Sequence, residues 1–399
     1  MNNTMKIYML TLISFVVGTS QFVLVGILDK VAASVGVSVS TAGQLITVFA
    51  LANAIGTPIV MVATSKMNQR KQLLLALSLI LLGSISIFVF PGFGFLMSSR
   101  VLLGIGTGVF VVTAYSIAAK LAASGRQGGA MSNVAMGFSS SLVFGVPIGR
   151  IIAAEYDWKI IFLGIGVFSL LASFAVVRTI PITEDDTSVS LGKRLSLLKN
   201  PKIVLTLGVT FFVFISYSIL NTYITPFLSF VMPLMERKIS FILSAMGIAS
   251  LFGSKIGGLL ADRIGTMRTL IGSMAGQALA LALLSTVSGF NWVLVIIPLL
   301  MLWEIAVWTF GPTQNFNLVS IAPEASGIVL SLNSSFVQLG FAAGAGIGGI
   351  AMGNSSMLAI SWGGAASVFI ALLIATVIFS RPHSSRTLGN RVPENESIR

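Results

Sequence analysis

The sequence of 399 residues contains no cysteine and only one histidine, His383. Without cysteine the chain forms no disulfide and no thiolate metal site, and thiol catalysis is excluded. Because the one histidine lies in the polar C-terminal tail, a Ser-His-acid hydrolase site is not expected, and there is no glycine-rich phosphate loop. We therefore expect no enzyme activity, no cofactor and no bound metal.

Charged residues are also scarce, at 9% of the chain against 55% hydrophobic residues, and the mean hydropathy is +0.97. A soluble protein of this size could not keep its surface polar with this composition. Apolar stretches long enough to cross a bilayer alternate with short polar loops, and the first of them is too long for a signal-peptide core. We predict an all-α polytopic membrane protein with transmembrane helices at 6–29, 40–63, 73–90, 95–118, 130–154, 160–178, 203–229, 239–260, 269–288, 293–317, 326–350 and 357–380.

Basic residues are distributed unevenly among the predicted loops. Most of the 24 Lys and Arg lie at the N-terminus, in loops after even-numbered spans and in the C-terminal tail. The exceptions are Arg100 and Lys255, within spans, and Lys30, Arg150, Lys159, Arg237 and Lys238, in the opposite loops. Cytoplasmic loops carry the excess of positive charge, so we predict an inner-membrane protein with both termini cytoplasmic. The net charge of +12 is thus a topology signal, and no nucleic-acid partner is expected.

The predicted spans divide into two pseudo-symmetric bundles of six. The predicted domains are an N-terminal bundle at 1–179, a cytoplasmic linker at 180–202, a C-terminal bundle at 203–380 and a cytoplasmic tail at 381–399. Asn133 with the glycines after it in span five has a counterpart in Asn333 with the glycines after it in span eleven. Parallel half-repeats of this kind are typical of many secondary transporters.

Acidic residues number only 12, and Glu304 is the one predicted to lie deep inside a span. An ionised carboxylate at mid-bilayer costs about 2.5–3.5 kcal/mol on the mildest insertion scale. A carboxyl group placed there is expected to gain and lose a proton at physiological pH. The alternative is a permanently protonated Glu304 that hydrogen-bonds a neighbouring helix.

Polar side chains are concentrated in the first and fourth helices of each predicted half. Polar groups inside a bundle face its interior or a water-filled cavity, so these four helices are predicted to line a central path. The residues predicted to contact a small molecule, there or on span eleven, are Gln21, Tyr217, Asn221, Trp303, Trp308, Gln314, Asn333 and Gln338. The alternatives are lipid contact or packing for the aromatic residues and helix-to-helix bonding for Asn333 and Gln338.

Two segments combine a charged residue with glycines. Residues 258–268 read GLLADRIGTMR. Gly258 permits close approach of helices, Gly265 permits a tight turn, and Asp262 can cap a helix or pair with a basic residue. Residues 100–108 read RVLLGIGTG, in which Arg100 precedes glycines that allow close helix contact.

Two further segments lie in spans five and one. Residues 145–150 read GVPIGR, and their small residues and Pro147 are expected to bend this helix and pack it tightly against its partner from the other half. Residues 18–27 read GTSQFVLVGI and include Gln21.

These four segments resemble the major facilitator superfamily, and within it the drug:proton antiporter-1 branch, close to purine-efflux and sugar-efflux members. The resemblance runs from Gly18 to about Phe379. It implies a latch between helices at Asp262 and Arg263, and a proton-coupling role for Arg100 through a polar group on span one. It also implies a seal of the inside-facing state at the segment that contains Gly145, Pro147 and Gly149.

Gln21 stands where many such relatives have a carboxylate. An amide can bind a substrate or Arg100, but it cannot carry a proton, so a coupling acid must lie elsewhere. Glu304 is the first candidate and Asp29, near the outer end of span one, is the second. The alternative for Asp29 is a plain helix-end acid, and for Arg100 it is a side chain that extends to the membrane interface.

The predicted function is proton-driven export of small, largely apolar, drug-like molecules by alternating access. One alternative is export of purines, nucleosides or sugars by the same fold, and a remote one is a membrane sensor that transports nothing. The expected partners are a small-molecule substrate, protons and the lipid bilayer, and the expected oligomeric state is a monomer.

Overall fold

The computed structural model describes residues 2–89, 92–123, 127–181, 197–231, 236–287, 293–354 and 358–380. These residues include twelve helices that are long and apolar enough to cross a membrane, which confirms the predicted fold class. In chain order they are α1 (Asn3–Val35), α2 (Val39–Ala63), α3 (Gln69–Val89), α4 (Phe93–Leu121), α5 (Gly129–Glu155), α6 (Lys159–Thr179), α7 (Pro201–Asn221), α8 (Lys238–Ile264), α9 (Thr266–Val287), α10 (Leu294–Ile321), α11 (Ile328–Gly353) and α12 (Ala359–Ile378). Most of the predicted linker and the whole predicted tail, with His383, lie outside the described residues.

Polar side chains and a glycine set the ends of several helices. The Asn2 side chain accepts a hydrogen bond from the Met5 amide at 2.9 Å where α1 begins, and Ser38 accepts one from the Thr41 amide at 3.0 Å before α2. Such caps satisfy amides that have no partner within the helix. α8 ends at Gly265, whose φ of 91° is a left-handed conformation that favours glycine, so the predicted tight turn is confirmed.

Two helices differ most from their predicted bounds. α1 continues beyond residue 29 to Val35, because apolar and small residues prolong it, and Asp29 therefore lies inside the helix and not at its outer end. The single span predicted at 203–229 is interrupted after Asn221. A second helix, Ile224–Val231, follows and is called here the α7 extension.

Several helices depart from regular α geometry. The backbone of α1 leaves the helical region at Ile27, with φ −127° and ψ 17°. α2 and α5 contain π-helical segments at Ala52–Gly56 and Ser141–Gly145. α10 contains Pro298 and Pro312, which remove backbone donors from its hydrogen-bond ladder. These are sites at which a membrane helix can bend.

Helices in the first and second halves of the chain pack in matching pairs. α1 packs against α5 as α7 packs against α11, and α3 packs against α4 and α6 as α9 packs against α10 and α12. The correspondence is what a parallel internal repeat requires. The exact domain boundaries stay a prediction.

The two halves meet mainly through α2 with α11, α5 with α8, and α1 with the α7 extension. The Ser40 hydroxyl donates to the Gly349 carbonyl at 2.6 Å, and the Thr225 hydroxyl donates to the Val25 carbonyl at 3.3 Å. Ser40 begins α2 and Gly349 is near the end of α11. These bonds therefore lie toward the end of the molecule at which α1 finishes, called here the distal end.

Candidate functional site

Glu304 lies midway along α10 and is 3% exposed. Its Oε1 accepts a hydrogen bond from the Trp308 indole at 2.9 Å and another from the Tyr217 hydroxyl of α7 at 3.2 Å. Its Oε2 has no hydrogen-bond partner within the described residues. A buried polar atom without a partner is unfavourable, so Oε2 is available to a proton or to a ligand.

A cavity, called here the Glu304 cavity, opens beside this carboxyl group. Its walls come from both halves of the chain and are mostly apolar. They include Phe22 and Val25 of α1, Val146 of α5, and Leu243 and Met246 of α8. The polar groups on its wall are Tyr217, Asn221 and Glu304.

A second cavity, called here the Arg100 cavity, lies next to the first. The two share Phe22, Val25 and Asn221 on their walls, so they adjoin each other between the halves. Gln21 of α1 and Gln338 of α11 line the Arg100 cavity, and the Oε1 atom of each is buried without a hydrogen-bond partner in the described part of the chain. Among the predicted substrate-contact residues, Gln21, Tyr217, Asn221 and Gln338 thus lie on a cavity wall.

Arg100 of α4 is 3% exposed and points toward α1. Its Nη1 donates to the Ser20 carbonyl at 3.1 Å, and its guanidinium lies 4.8 Å from the centre of the Phe162 ring, a cation–π distance. This burial contradicts the alternative in which the side chain extends to the membrane interface. The predicted contact with span one is present, but it is made to a backbone carbonyl.

Asp29 forms an ion pair with Arg150 of α5. The same nitrogen, Nη1, also donates to the Gly26 carbonyl at 3.1 Å, next to the irregular backbone at Ile27. Arg150 is 1% exposed, so its assignment to a loop is wrong. The pairing favours a structural role for Asp29 over proton coupling, because its carboxylate is already bound to a buried cation.

Gln314 and Asn333 are not on the wall of either cavity. The Gln314 amide donates to the Thr210 hydroxyl oxygen at 2.9 Å and to the Thr206 carbonyl at 2.8 Å, and the Thr210 hydroxyl donates to Asn333 Oδ1 at 2.8 Å. The Asn333 amide donates to Asn315 at 2.8 Å. This network joins α7, α10 and α11, which favours helix-to-helix bonding over substrate contact.

The two tryptophans of α10 pack against the ring of Tyr217. Trp303 stacks on Tyr217 with ring centres 5.3 Å apart, and Trp308 lies edge-on to the same ring at 6.4 Å. Neither tryptophan lies on the wall of the Glu304 cavity or of the Arg100 cavity. Their contacts hold Tyr217 and Glu304 in place.

The glycines of the α5 segment pack against α1. A Cβ on Gly145 would lie 2.4 Å from the Thr19 hydroxyl oxygen, and one on Gly149 would lie 2.2 Å from a Val23 methyl carbon. These two glycines therefore face α1, although the segment Val146–Glu155 that follows Gly145 also contacts α8 of the other half. Pro147 is buried beside them, just after the π-helical segment. α8 also approaches α5 closely where a Cβ on Gly247 would lie 2.6 Å from the Val143 Cα.

Gly258 does not mediate the close approach expected of it, because a Cβ there would meet nothing within 4 Å. Its neighbour Gly257 does, since a Cβ there would lie 2.5 Å from the Thr309 carbonyl oxygen of α10. Asp262 and Arg263 are exposed, and Asp262 forms no ion pair within the described residues. Their role as a latch stays a prediction.

Two buried residues outside the predicted substrate-contact and proton-coupling sets bear on the site. Arg150 resembled a loop residue because it lies near the end of a span. Tyr223 closes the distal end: its hydroxyl donates to the Ala345 carbonyl at 2.9 Å, and a Cβ on Gly43 of α2 or Gly349 of α11 would clash with that hydroxyl. The sequence feature that could have indicated this contact is the cluster of glycines on α11, because it leaves room for a large ring from a neighbouring helix.

Twelve apolar helices in two matching sets, with mostly apolar cavities between them that carry a few buried polar groups, are the architecture of a secondary membrane transporter. Residues 10–345 match the Major Facilitator Superfamily, and the chain belongs to this family. The protein is thus a multi-pass membrane transporter of small molecules and not an enzyme.

A curated relative and two solved structures agree with this assignment. The uncharacterized MFS-type transporter YbcL of Bacillus subtilis (strain 168) is 44% identical over 381 residues, which cover 95% of this chain and 97% of that protein. A bacterial homolog of the human lysosomal transporter Spinster, solved in an inward-facing and unoccupied conformation, matches with a TM-score of 0.71 and 16% identity, covering 94% of this chain and 95% of its own. A D-xylose-proton symporter matches with a TM-score of 0.70 and 16% identity, covering 92% of this chain and 96% of its own. At this identity the two structures show the fold alone.

Proposed function

We propose that the protein is a drug:proton antiporter-1 type exporter, which moves small, largely apolar molecules outward in exchange for protons. The main support for this proposal is Glu304. Its carboxyl group is buried on the wall of the Glu304 cavity between the halves, and one of its oxygens has no hydrogen-bond partner within the described residues. The mostly apolar wall of the Glu304 cavity supports a cargo with an apolar body.

Glu304 is placed to link a proton to the movement of the halves. Its other oxygen is bonded to Tyr217 and Trp308. Addition or loss of a proton changes which hydrogen bonds this carboxyl group accepts or donates. A proton that binds one arrangement of the helices better than the other shifts the equilibrium between them. A permanently protonated structural Glu304 is the competing interpretation.

The location supports export if both termini are cytoplasmic in the inner membrane of the cell. The distal end, where Ser40 bonds Gly349 and Tyr223 bonds Ala345, then faces outward and is closed. Asp262 and Arg263 lie at the opposite end and are exposed, as expected of a released latch. In this arrangement the cavities receive cargo from the cytoplasm, and one chain contains the whole path.

Export of purines, nucleosides or sugars is the second candidate function. The amides of Gln21, Asn221 and Gln338 on the wall of the Arg100 cavity favour a cargo that forms hydrogen bonds. In this second candidate function the fold, the proton coupling and the outward direction of transport are the same, and only the polarity of the cargo differs.

The test is the substitution Glu304→Gln in proteoliposomes, with Glu155→Gln as the matched control, because Glu155 is exposed at the end of α5. Compounds found by thermal shift are loaded, a pH gradient is imposed, and compound efflux and proton flux are measured together. We expect Glu304→Gln to abolish pH-driven efflux while compound binding remains measurable, and Glu155→Gln to behave as the wild type. Normal pH-driven pumping by Glu304→Gln would contradict the proposal.

A further inference from the structure

The adjoining cavities carry balanced charge. Within the described residues, the charged side chains on their walls are Arg100 in one cavity and Glu304 in the other. With Glu304 ionised their formal charges cancel. A cationic cargo would leave a net positive charge in these cavities, and an anionic cargo would leave a net negative one. Either net charge is unfavourable where the surroundings are apolar.

The Arg100 cavity also contains unmatched hydrogen-bonding atoms of both kinds. Gln21 Oε1 and Gln338 Oε1 are buried acceptors without a partner, and apart from its bond to Ser20 the Arg100 guanidinium has no hydrogen-bond partner in the described part of the chain. A side-chain amide can also turn over and present its nitrogen, which leaves it a neutral partner. Leaving such groups unpaired in a buried site is unfavourable.

We infer that the protein selects uncharged molecules with N–H or O–H donors for Gln21 and Gln338 and a carbonyl-type acceptor for Arg100. The apolar part of the molecule lies against Phe22, Phe49 and Phe341. Gln21 is on α1 and Gln338 on α11, so such a cargo bridges the two halves of the chain. This inference rests on the proposed function, because it takes the adjoining cavities as the cargo site.

The first experiment compares four probes of similar size by calorimetry on the purified full-length protein. Phenylurea is neutral and has both donors and an acceptor. Phenylguanidinium has nearly the same shape and is a cation, phenylacetate is an anion, and cumene is neutral without hydrogen-bonding groups. We expect phenylurea to bind most tightly. Tighter binding of phenylguanidinium, phenylacetate or cumene, or no binding of phenylurea up to its solubility limit, would overturn the inference.

The second experiment replaces each amide by the similarly shaped apolar residue, as Gln21→Met and Gln338→Met. Each loses one hydrogen bond to the cargo, so phenylurea binding should weaken about threefold to tenfold. The control is Gln277→Met, because Gln277 is also a buried amide with an unpaired oxygen within the described residues but is on neither cavity wall. Thermal unfolding of each variant confirms that it is folded.

Unchanged phenylurea binding in folded Gln21→Met and Gln338→Met would overturn the inference, as would equal weakening in Gln277→Met. If one variant fails to fold, the other gives the result independently. These are equilibrium measurements without a proton gradient. A failure of proton coupling in the Glu304→Gln transport assay therefore leaves their ranking intact, and a wrong ranking leaves the transport result intact.

Discussion

Asp29 and Arg150 form one ion pair, but their side chains are 28% and 1% exposed. A buried charge that loses its partner destabilises a protein by about 3–5 kcal/mol, whereas a partly hydrated one is stabilised by water. The two partners of this pair therefore do not contribute equally. Removing the charge of Asp29 takes away the carboxylate that pairs with a fully buried arginine, while removing Arg150 leaves a carboxylate that water can reach.

We predict that Asp29→Asn lowers the free energy of unfolding by about 2–3 kcal/mol, and that Arg150→Met lowers it by about 1 kcal/mol. The measurement is denaturant unfolding in detergent, with Glu155→Gln as a surface control. An Asp29→Asn protein as stable as the wild type, or a larger loss for Arg150→Met, would show that Asp29 does not compensate Arg150.

The sequence identifies candidate residues by type more reliably than it identifies their partners. The isolation of Glu304 in an apolar run, and of Gln21 and Arg100 among glycines, is visible without coordinates. Which polar groups bond one another depends on how each helix is rotated about its axis. That is why Gln314 and Asn333, which resemble cavity residues in the sequence, are found bonded to Thr210 in the structure.

At the scale of helices, α8 contacts α10 through one glycine face. A Cβ on Gly253 or Gly257 would lie 2.5 Å from a carbonyl oxygen of α10, and these two glycines are one helical turn apart. Gly258 is turned away by the helical period and faces open space. Adjacent glycines in one motif thus have different physical roles.

We predict that Gly257→Ala destabilises the protein by about 1–3 kcal/mol, because the added methyl group meets the backbone of α10. Gly258→Ala should leave stability unchanged or raise it by up to about 1 kcal/mol, since alanine favours the helix. The measurement is the thermal unfolding of each single variant, and each variant is the control for the other. Equal effects of the two substitutions would be inconsistent with this packing.

Helix number and approximate length follow from hydropathy, because a bilayer requires long apolar runs. The interruption after Asn221 does not follow, since residues 203–229 contain no charged residue and are mostly apolar on both sides of it. The turn there places Tyr223 in a niche between α2 and α11, and this contact involves residues more than 100 positions apart in the chain. Hydropathy contains no information about such contacts.

At the scale of the whole molecule, the closed distal end is one of the two states that alternating access requires. Ser40 and Gly349 meet across the halves, and a Cβ on Gly349 would lie 3.2 Å from the Ser40 hydroxyl oxygen. A disulfide joins Cβ atoms about 3.5–4.5 Å apart. The chain has no cysteine of its own, so an introduced pair has no competing thiol.

We predict that the double substitution Ser40→Cys, Gly353→Cys cross-links under mild oxidation and stops transport, and that a reductant restores transport. Gly353 is chosen because a Cβ there would lie 3.8 Å from the Ser40 hydroxyl oxygen with no other neighbouring atom within 4 Å, whereas a Cβ on Gly349 would clash with Tyr223. The measurement is cargo exchange in proteoliposomes before and after reduction, with each single cysteine variant as a control. Full exchange by the cross-linked protein would mean that the distal contact does not open during transport.

The division of the molecule into two similar halves was predictable from the sequence repeat, but the angle between the halves was not. A repeat requires that the halves resemble each other, and it does not determine the angle between them. That angle depends on the small free-energy difference between two packings of the same surfaces.

The π-helical segments of α2 and α5 have a consequence for how the molecule moves. Both lie in the first half, at the helices that touch α11 and α8 of the second half. Within the described residues, α8 and α11 contain no such segment. A π-helical turn bends more readily than regular helix because its ladder of hydrogen bonds is already displaced. The two halves therefore differ at the helices through which they meet, and we expect α2 and α5 to bend more than α8 and α11 when the distal end opens.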